Sequence, residues 1–137
     1  MQQPSILSHE LAHFETLNEG VRVCIDTCFE CSRVCDEMVS HCLSKGGEHV
    51  ERNHLQHLLA CAELCHTTAK FMMWNSNFHM DLCHLCSEVC RVCAEDCERW
   101  PDDESMRSCA DVCRRCAKSC HDMSMSDEDR AAEIPFF

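Results

Sequence analysis

From about residue 17 to residue 123 the non-polar positions return at steps of three and four, and cysteine holds most of them. Cys24, Cys28, Cys31 and Cys35 are spaced 4, 3, 4, and Cys109, Cys113, Cys116 and Cys120 repeat that spacing. Cys83, Cys86, Cys90, Cys93 and Cys97 run 3, 4, 3, 4; Cys42 follows Cys35 by seven, and Cys61 and Cys65 are four apart. Such steps place side chains on one face of an α-helix. Ordinary apolar residues flank this stripe: Val21, Ile25, Val34, Leu58, Leu64, Leu82, Leu85, Val89, Val92 and Val112 are placed to seal the seams between helices. Charged residues such as Glu30, Arg33, Asp36, Glu88, Arg91 and Arg115 fall on the opposite faces, as in a helix with one side in water.

The pattern predicts a short helix over 4–15 and four long ones over about 17–44, 50–74, 78–99 and 103–122. Gly46-Gly47 stops the first long helix, Asn75-Ser76-Asn77 turns the chain after the second, and Trp100-Pro101 ends the third. Asp102 or Asp103 is placed to cap the fourth. Short connections make neighbours antiparallel, so the predicted fold is all-α: an up-down four-helix bundle within a single domain spanning 1–137. An acidic segment over 124–137 forms a frayed tail. The shared spacing of 24–35 and 109–120 reads either as an internal duplication or as two helices meeting one geometric need.

Composition sharpens this picture. Gly and Pro occur three times each and Tyr is absent, which removes the usual loop and strand signals. The formal charge of −12 argues against nucleic acid and against anionic membrane surfaces as partners. The beginning of the chain shows no basic or apolar leader, and no run of about 20 apolar residues is present to span a bilayer. The expected location is therefore the cytoplasm, whose reducing conditions keep cysteines as thiols.

Sixteen cysteines in 137 residues could in principle be disulfides or metal ligands. Disulfides need Cβ atoms about 3.5–4.5 Å apart, closer than the roughly 5–6 Å between i and i+4 positions of a helix. Cross-helix bridges could use only a few of the sixteen. Buried free cysteine can also pack as a small hydrophobe, but so many in register point instead to a soft metal bound many times over. Zinc favours isolated tetrahedra, and each ZnS4 unit leaves two negative charges in the core. Iron–sulfur clusters use a loop with the Cys-x2-Cys-x2-Cys-x3-Cys-Pro pattern; Cys83, Cys86, Cys90 and Cys93 differ in spacing, lack the proline and lie in a helical run. Cu(I) is selected by thiolates, is satisfied by few ligands, and cancels thiolate charge one for one when each sulfur bridges two ions. A zinc-thiolate buffer and an iron–sulfur redox protein remain the alternatives. No catalytic constellation is evident, and the chain reads as a non-enzyme.

Other donors extend the stripe. His54 and His57 precede Cys61 at the same spacing and read as ligands, since a thiol-lined core would otherwise have to satisfy two imidazoles. Met38, Met72, Met80, Met106, Met123 and His79 read either as ligands or as core filling. His9-Glu10-Leu11-Ala12-His13 matches the HExxH zinc-protease motif literally, but lacks the long helix and catalytic domain that motif serves, and reads as chance.

These residues give the chain a family likeness. The segments CIDTCFECSRVC (24–35), CAELC (61–65), CHLCSEVCRVCAEDC (83–97) and CADVCRRCAKSC (109–120) resemble those of the bacterial copper storage proteins, Cys-rich four-helix bundles, over about 17–123. The resemblance implies a cytosolic protein that assembles as a homotetramer and fills its interior with multiple Cu(I) ions. It also implies that all sixteen cysteines, Cys24, Cys28, Cys31, Cys35, Cys42, Cys61, Cys65, Cys83, Cys86, Cys90, Cys93, Cys97, Cys109, Cys113, Cys116 and Cys120, act as bridging thiolates. The second helix departs from the family by carrying only two of them, with His54 where members often have a further cysteine.

Overall fold

A computed structural model describes residues 19–125 of the chain. Four helices follow one another: α1 (Glu19–Lys45), α2 (Arg52–Met73), α3 (His79–Cys97) and α4 (Glu104–Ser124). The expected short helix over 4–15, with His9 and His13, and the tail from residue 126 onward lie outside the described residues.

Each break has a local cause. Gly46 (φ 71°) and Gly47 (φ 58°) both take left-handed backbone that a side chain would strain, and α1 stops at Lys45. The link is not a bare loop: Gly47–Val50 forms a single 3-10 turn, so α2 starts at Arg52, two residues later than the pattern predicts. At the end of α2, Asn75 (φ 53°) donates its amide to the Met72 carbonyl and Ser76 donates to Phe71, the paired bonds of a Schellman cap. Helix α3 closes at Cys97, where Arg99 and Trp100 switch to three-residue bonds onto Asp96 and Cys97 ahead of Pro101. Of the two candidate caps, Asp103 does the work: its Oδ1 accepts the Ser105 and Met106 amides.

Contacts between helices set their directions. The late residue Cys42 of α1 meets the early residue His54 of α2, whereas Cys31 meets Cys61. Likewise Cys61 meets Cys90 and Cys65 meets Cys86 across α2 and α3, and Cys28 meets Cys120 while Cys35 meets Cys109 across α1 and α4. Successive helices are thus antiparallel, each packs against two neighbours, and α4 closes back on α1. The links Gly46–Glu51 and Glu98–Asp103 lie together at one end of the bundle.

The centre holds sulfur flanked by a thin apolar shell. Leu58, Ile25, Val112, Met72 and Met106 are buried, and Ala62, Ala69, Ala94 and Ala110 fill the remaining gaps. One predicted seam residue is misplaced: Leu85 is exposed rather than buried. At 100° per residue it lies about 120° round α3 from the middle of the sulfur stripe, on the side that faces solvent. Leu58 is the largest fully buried aliphatic side chain. Leu58→Ala is expected to destabilise the reduced, metal-free protein by about 2–5 kcal/mol, read from chemical denaturation under anaerobic conditions.

Candidate metal centre

Every one of the sixteen cysteines is a free thiol with no exposed surface. Within a helix the i, i+4 sulfurs stand 3.8–4.0 Å apart, as in Cys31–Cys35, Cys61–Cys65, Cys86–Cys90 and Cys116–Cys120. Between helices they come closer, to 3.4 Å for Cys28–Cys120 and for Cys65–Cys90. The helices present the thiols and the antiparallel packing interleaves them.

The interleaving produces four tetrads of sulfurs: Cys28, Cys86, Cys116, Cys120; then Cys65, Cys86, Cys90, Cys116; then Cys31, Cys61, Cys65, Cys90; then Cys31, Cys35, Cys61, Cys113. Each tetrad shares two sulfurs with the next: Cys86 and Cys116, then Cys65 and Cys90, then Cys31 and Cys61. The result is a continuous ladder along the bundle axis. Cys24 extends it past Cys120 at one end, and Cys109 extends it past Cys35 at the other. A metal–sulfur bond of about 2.3 Å makes S···S edges of about 3.8 Å in a tetrahedron and about 4.0 Å in a trigonal plane. The ladder therefore accepts metal ions with shifts of a few tenths of an ångström. The run 83–97 is one unbroken helix, so it does not form the wrapping loop an iron–sulfur cluster needs.

At the linked end the donors change character. Cys42 Sγ lies 3.8 Å from Met106 Sδ and 3.2 Å from His54 Nε2. His54, fully buried, donates from Nδ1 to Asp96 Oδ2 at 2.6 Å. That bond fixes the tautomer and leaves the Nε2 lone pair facing Cys42, the carboxylate–histidine arrangement that orients metal-binding imidazoles. Asp96 also accepts from His57 Nδ1 at 3.1 Å and from Arg99. The two predicted histidines are thereby separated: His54 joins the sulfur core, and His57, 39% exposed, stays at its rim. Asp96 is absent from the sequence-based site. Nothing in the spacing of the chain marks it as a partner of the two histidines. Of the methionines, Met72 and Met106 are buried and Met38 and Met123 pack at the edge of the core. His79 Nδ1 is buried without a hydrogen-bond partner.

Contact between sulfurs divides the thiols: hydrogen bonds from neighbouring cysteines lower Cys24, Cys31, Cys61, Cys86, Cys109 and Cys116, while the other ten are pushed up. Burial first, then the Asp103 carboxylate, pushes the Cys42 thiol up to about 11. Cys97 is also held above the ordinary thiol range, by its contacts with Cys109 and Cys93 and by burial. Asp96 goes the other way: burial opposes its ionisation, but hydrogen bonds from His54, Arg99 and His57 outweigh this and lower its pKa.

The fold and site define a four-helix bundle whose core is a metal-binding column of thiols. The family described as copper storage protein matches residues 17–125, and the chain belongs to that family. A solved structure of the Nmul_A1745 protein from Nitrosospira multiformis is 39% identical, with a TM-score of 0.73, covering 79% of this chain and 97% of that one. Cu(I)-bound BsCsp3, a copper storage protein from Bacillus subtilis, is 27% identical with a TM-score of 0.73 over 78% of this chain and all of that one. A cytosolic copper storage protein from Streptomyces lividans, solved with five coppers, is 26% identical with a TM-score of 0.72, covering 77% and 92%.

With every thiol buried, a disulfide thiol reagent added to the native reduced protein should react slowly. The sixteen thiols should become titratable in a fast phase only after addition of denaturant, followed by the absorbance of the released chromophore.

Proposed function

We propose that this chain stores Cu(I), holding many ions per molecule in its ladder of thiolates. The observation that carries the reading is the sharing of sulfur pairs between successive tetrads. Shared edges make these six thiolates, Cys31, Cys61, Cys65, Cys86, Cys90 and Cys116, bridges between ions. Sixteen thiolates filled by about as many monovalent ions reach charge balance, whereas isolated ZnS4 units would leave two negative charges apiece in a chain already at −12. All sixteen cysteines serve as bridging ligands. His54 supplies a nitrogen donor beside Cys42 and Met106, and offsets the shortage of thiols at the start of α2. His57 is the outermost imidazole an incoming ion meets, and Asp96 holds both rings in place. The role is sequestration and buffering of copper, not catalysis.

The location proposed is the cytoplasm. The relative from Streptomyces lividans is described as cytosolic, and among the described residues no helix is long and apolar enough to cross a membrane. Assembly as a homotetramer follows from the family resemblance, and the exposed Leu43, Leu59, Trp74, Phe78 and Leu85 supply apolar surface for it.

The deciding experiment is anaerobic titration of the reduced protein with Cu(I) against a high-affinity chelator. Uptake of roughly ten or more equivalents before the chelator responds is expected, because each thiolate serves two ions. Saturation at about four, the number of separate tetrahedra sixteen thiols can build, overturns the ladder and favours a zinc buffer. Thiols held above their ordinary range, Cys42 and Cys97 among them, must give up their protons to bind, so loading near neutral pH should release protons, measured in a pH-stat. Cu(I) affinity should accordingly fall as pH falls. His54→Ala should leave the total capacity within about one equivalent of wild type while slowing uptake or weakening the ions bound beside Cys42, read by stopped-flow with the same chelator.

A further inference from the structure

Outside the thiol column, three non-sulfur donors converge at the linked end of the bundle. His41 near the end of α1 and His49 in the 3-10 turn both direct Nε2 at one oxygen, Oδ2 of Asp103, at 2.8 and 3.1 Å. The three donor atoms lie within 4.8 Å of one another. His41 is 20% exposed, His49 14% and Asp103 11%, so the cluster is sheltered yet open to small ions.

Two of the three donors are held by something unrelated to the cluster. Asp103 Oδ1 is committed to capping α4 through the Ser105 and Met106 amides, which turns Oδ2 toward the histidines. The His49 ring stacks on Trp100, with centroids 4.3 Å apart and planes at 29°. Trp100 also meets His54, centroids 4.6 Å apart. The indole thus touches one imidazole of this cluster and one of the sulfur core.

We propose that His41, His49 and Asp103 form a second metal site, one that takes a divalent first-row transition ion rather than Cu(I). Two imidazoles and a carboxylate are borderline donors suited to Zn2+, Ni2+ or Cu2+, and no sulfur is present to favour Cu(I). The spacing fits. Metal–ligand bonds of about 2.05 Å give a ligand–ligand edge of about 2.9 Å at 90° and about 3.3 Å at the tetrahedral angle, and the two N···O separations are 2.8 and 3.1 Å. The ion takes the place of the two hydrogens now shared with Oδ2. Each neutral imidazole then carries its single proton on Nδ1 instead of Nε2, and solvent completes the coordination on the open side. One carboxylate against a divalent ion leaves a net positive charge, which the acidic chain tolerates.

The test uses the full chain, reduced and filled with Cu(I) so that the thiols are occupied, with the Cu(I) content counted before Zn2+ is added. Zn2+ binding is read by chelator competition and by the side-chain 15N shifts of His41 and His49. The expected result is one equivalent of Zn2+, with both Nε2 resonances moving to the metal-bound position and no loss of Cu(I). Asp103→Asn keeps a cap acceptor for α4 but removes the charge; it and the double variant His41→Gln/His49→Gln should lose that equivalent while Cu(I) capacity is unchanged. Failure of the wild type to bind Zn2+ below millimolar concentration, or retention of the equivalent in the double variant, overturns the site. A sample that takes up no Cu(I) overturns the storage reading alone. The imidazole shifts still decide the present one, since Zn2+ bound at thiols leaves these two rings unmoved.

Discussion

Sulfur contact along the bundle axis is the constraint from which the rest of this structure follows. Sixteen thiols with no exposed surface occupy the volume that branched aliphatic side chains fill in other bundles. Cysteine is small, so the helices must approach closely, and alanine rather than leucine fills the remaining gaps at Ala62, Ala69, Ala94 and Ala110. A core of this kind buries less apolar area per residue than a leucine core, and the metal-free fold gains correspondingly less from the hydrophobic effect. Ions that bind only the folded state add to its stability by mass action, so cargo and fold are thermodynamically linked. The bundle is shaped to be completed by what it carries.

The same crowding dictates the charge state. Thiolates at 3.4–4.0 Å from one another cannot all ionise in a buried column, and burial with neighbouring anions keeps Cys42 protonated well above neutral pH. A monovalent soft cation solves both problems at once, because it displaces the proton and leaves no residual charge. A divalent ion in isolated tetrahedra solves neither for the shared sulfurs. This argument chooses between metals where distance does not, since the S···S edges suit either geometry.

Much of this was legible in the chain. The 3- and 4-step cysteine spacing determines which faces turn inward, and because all sixteen thiols obey it, the bundle and its thiol-lined core could be read before any coordinates. Gly46-Gly47, Asn75 and Trp100-Pro101 marked the breaks correctly because their backbone preferences are local. What could not be read is which sulfurs meet across helices. That depends on the axial stagger of α1 to α4, which no local spacing encodes. The pairing of tetrads into a ladder is therefore a tertiary fact. The division between His54 and His57 has the same origin: both share the spacing of the stripe, yet Asp96 on α3 captures both Nδ1 atoms, and only His54 has Cys42 opposite its other nitrogen. Leu85 failed for the opposite reason, being apolar but angularly outside the seam.

The linked end of the bundle departs most from the thiol pattern. The two short links bring His49, Trp100 and Asp103 together over the last turn of the ladder, where backbone carbonyls and amides of helix ends would otherwise face the sulfurs. Asp103 must be there to cap α4, and Asp96 must be there to orient His54, so two carboxylates stand close to Cys42 and raise the cost of its ionisation. An ion arriving at this end meets oxygen and nitrogen first and sulfur afterwards. Donor softness therefore rises from Asp and His through Met106 to the thiols, and for Cu(I) each step inward along that series is downhill. Zn2+ also binds thiolates well, so for a divalent borderline ion the nitrogen and oxygen donors of His41, His49 and Asp103 matter once Cu(I) fills the thiols. Trp100, in contact with His49 of one donor set and His54 of the other, lets one end of one bundle hold both without any moving part.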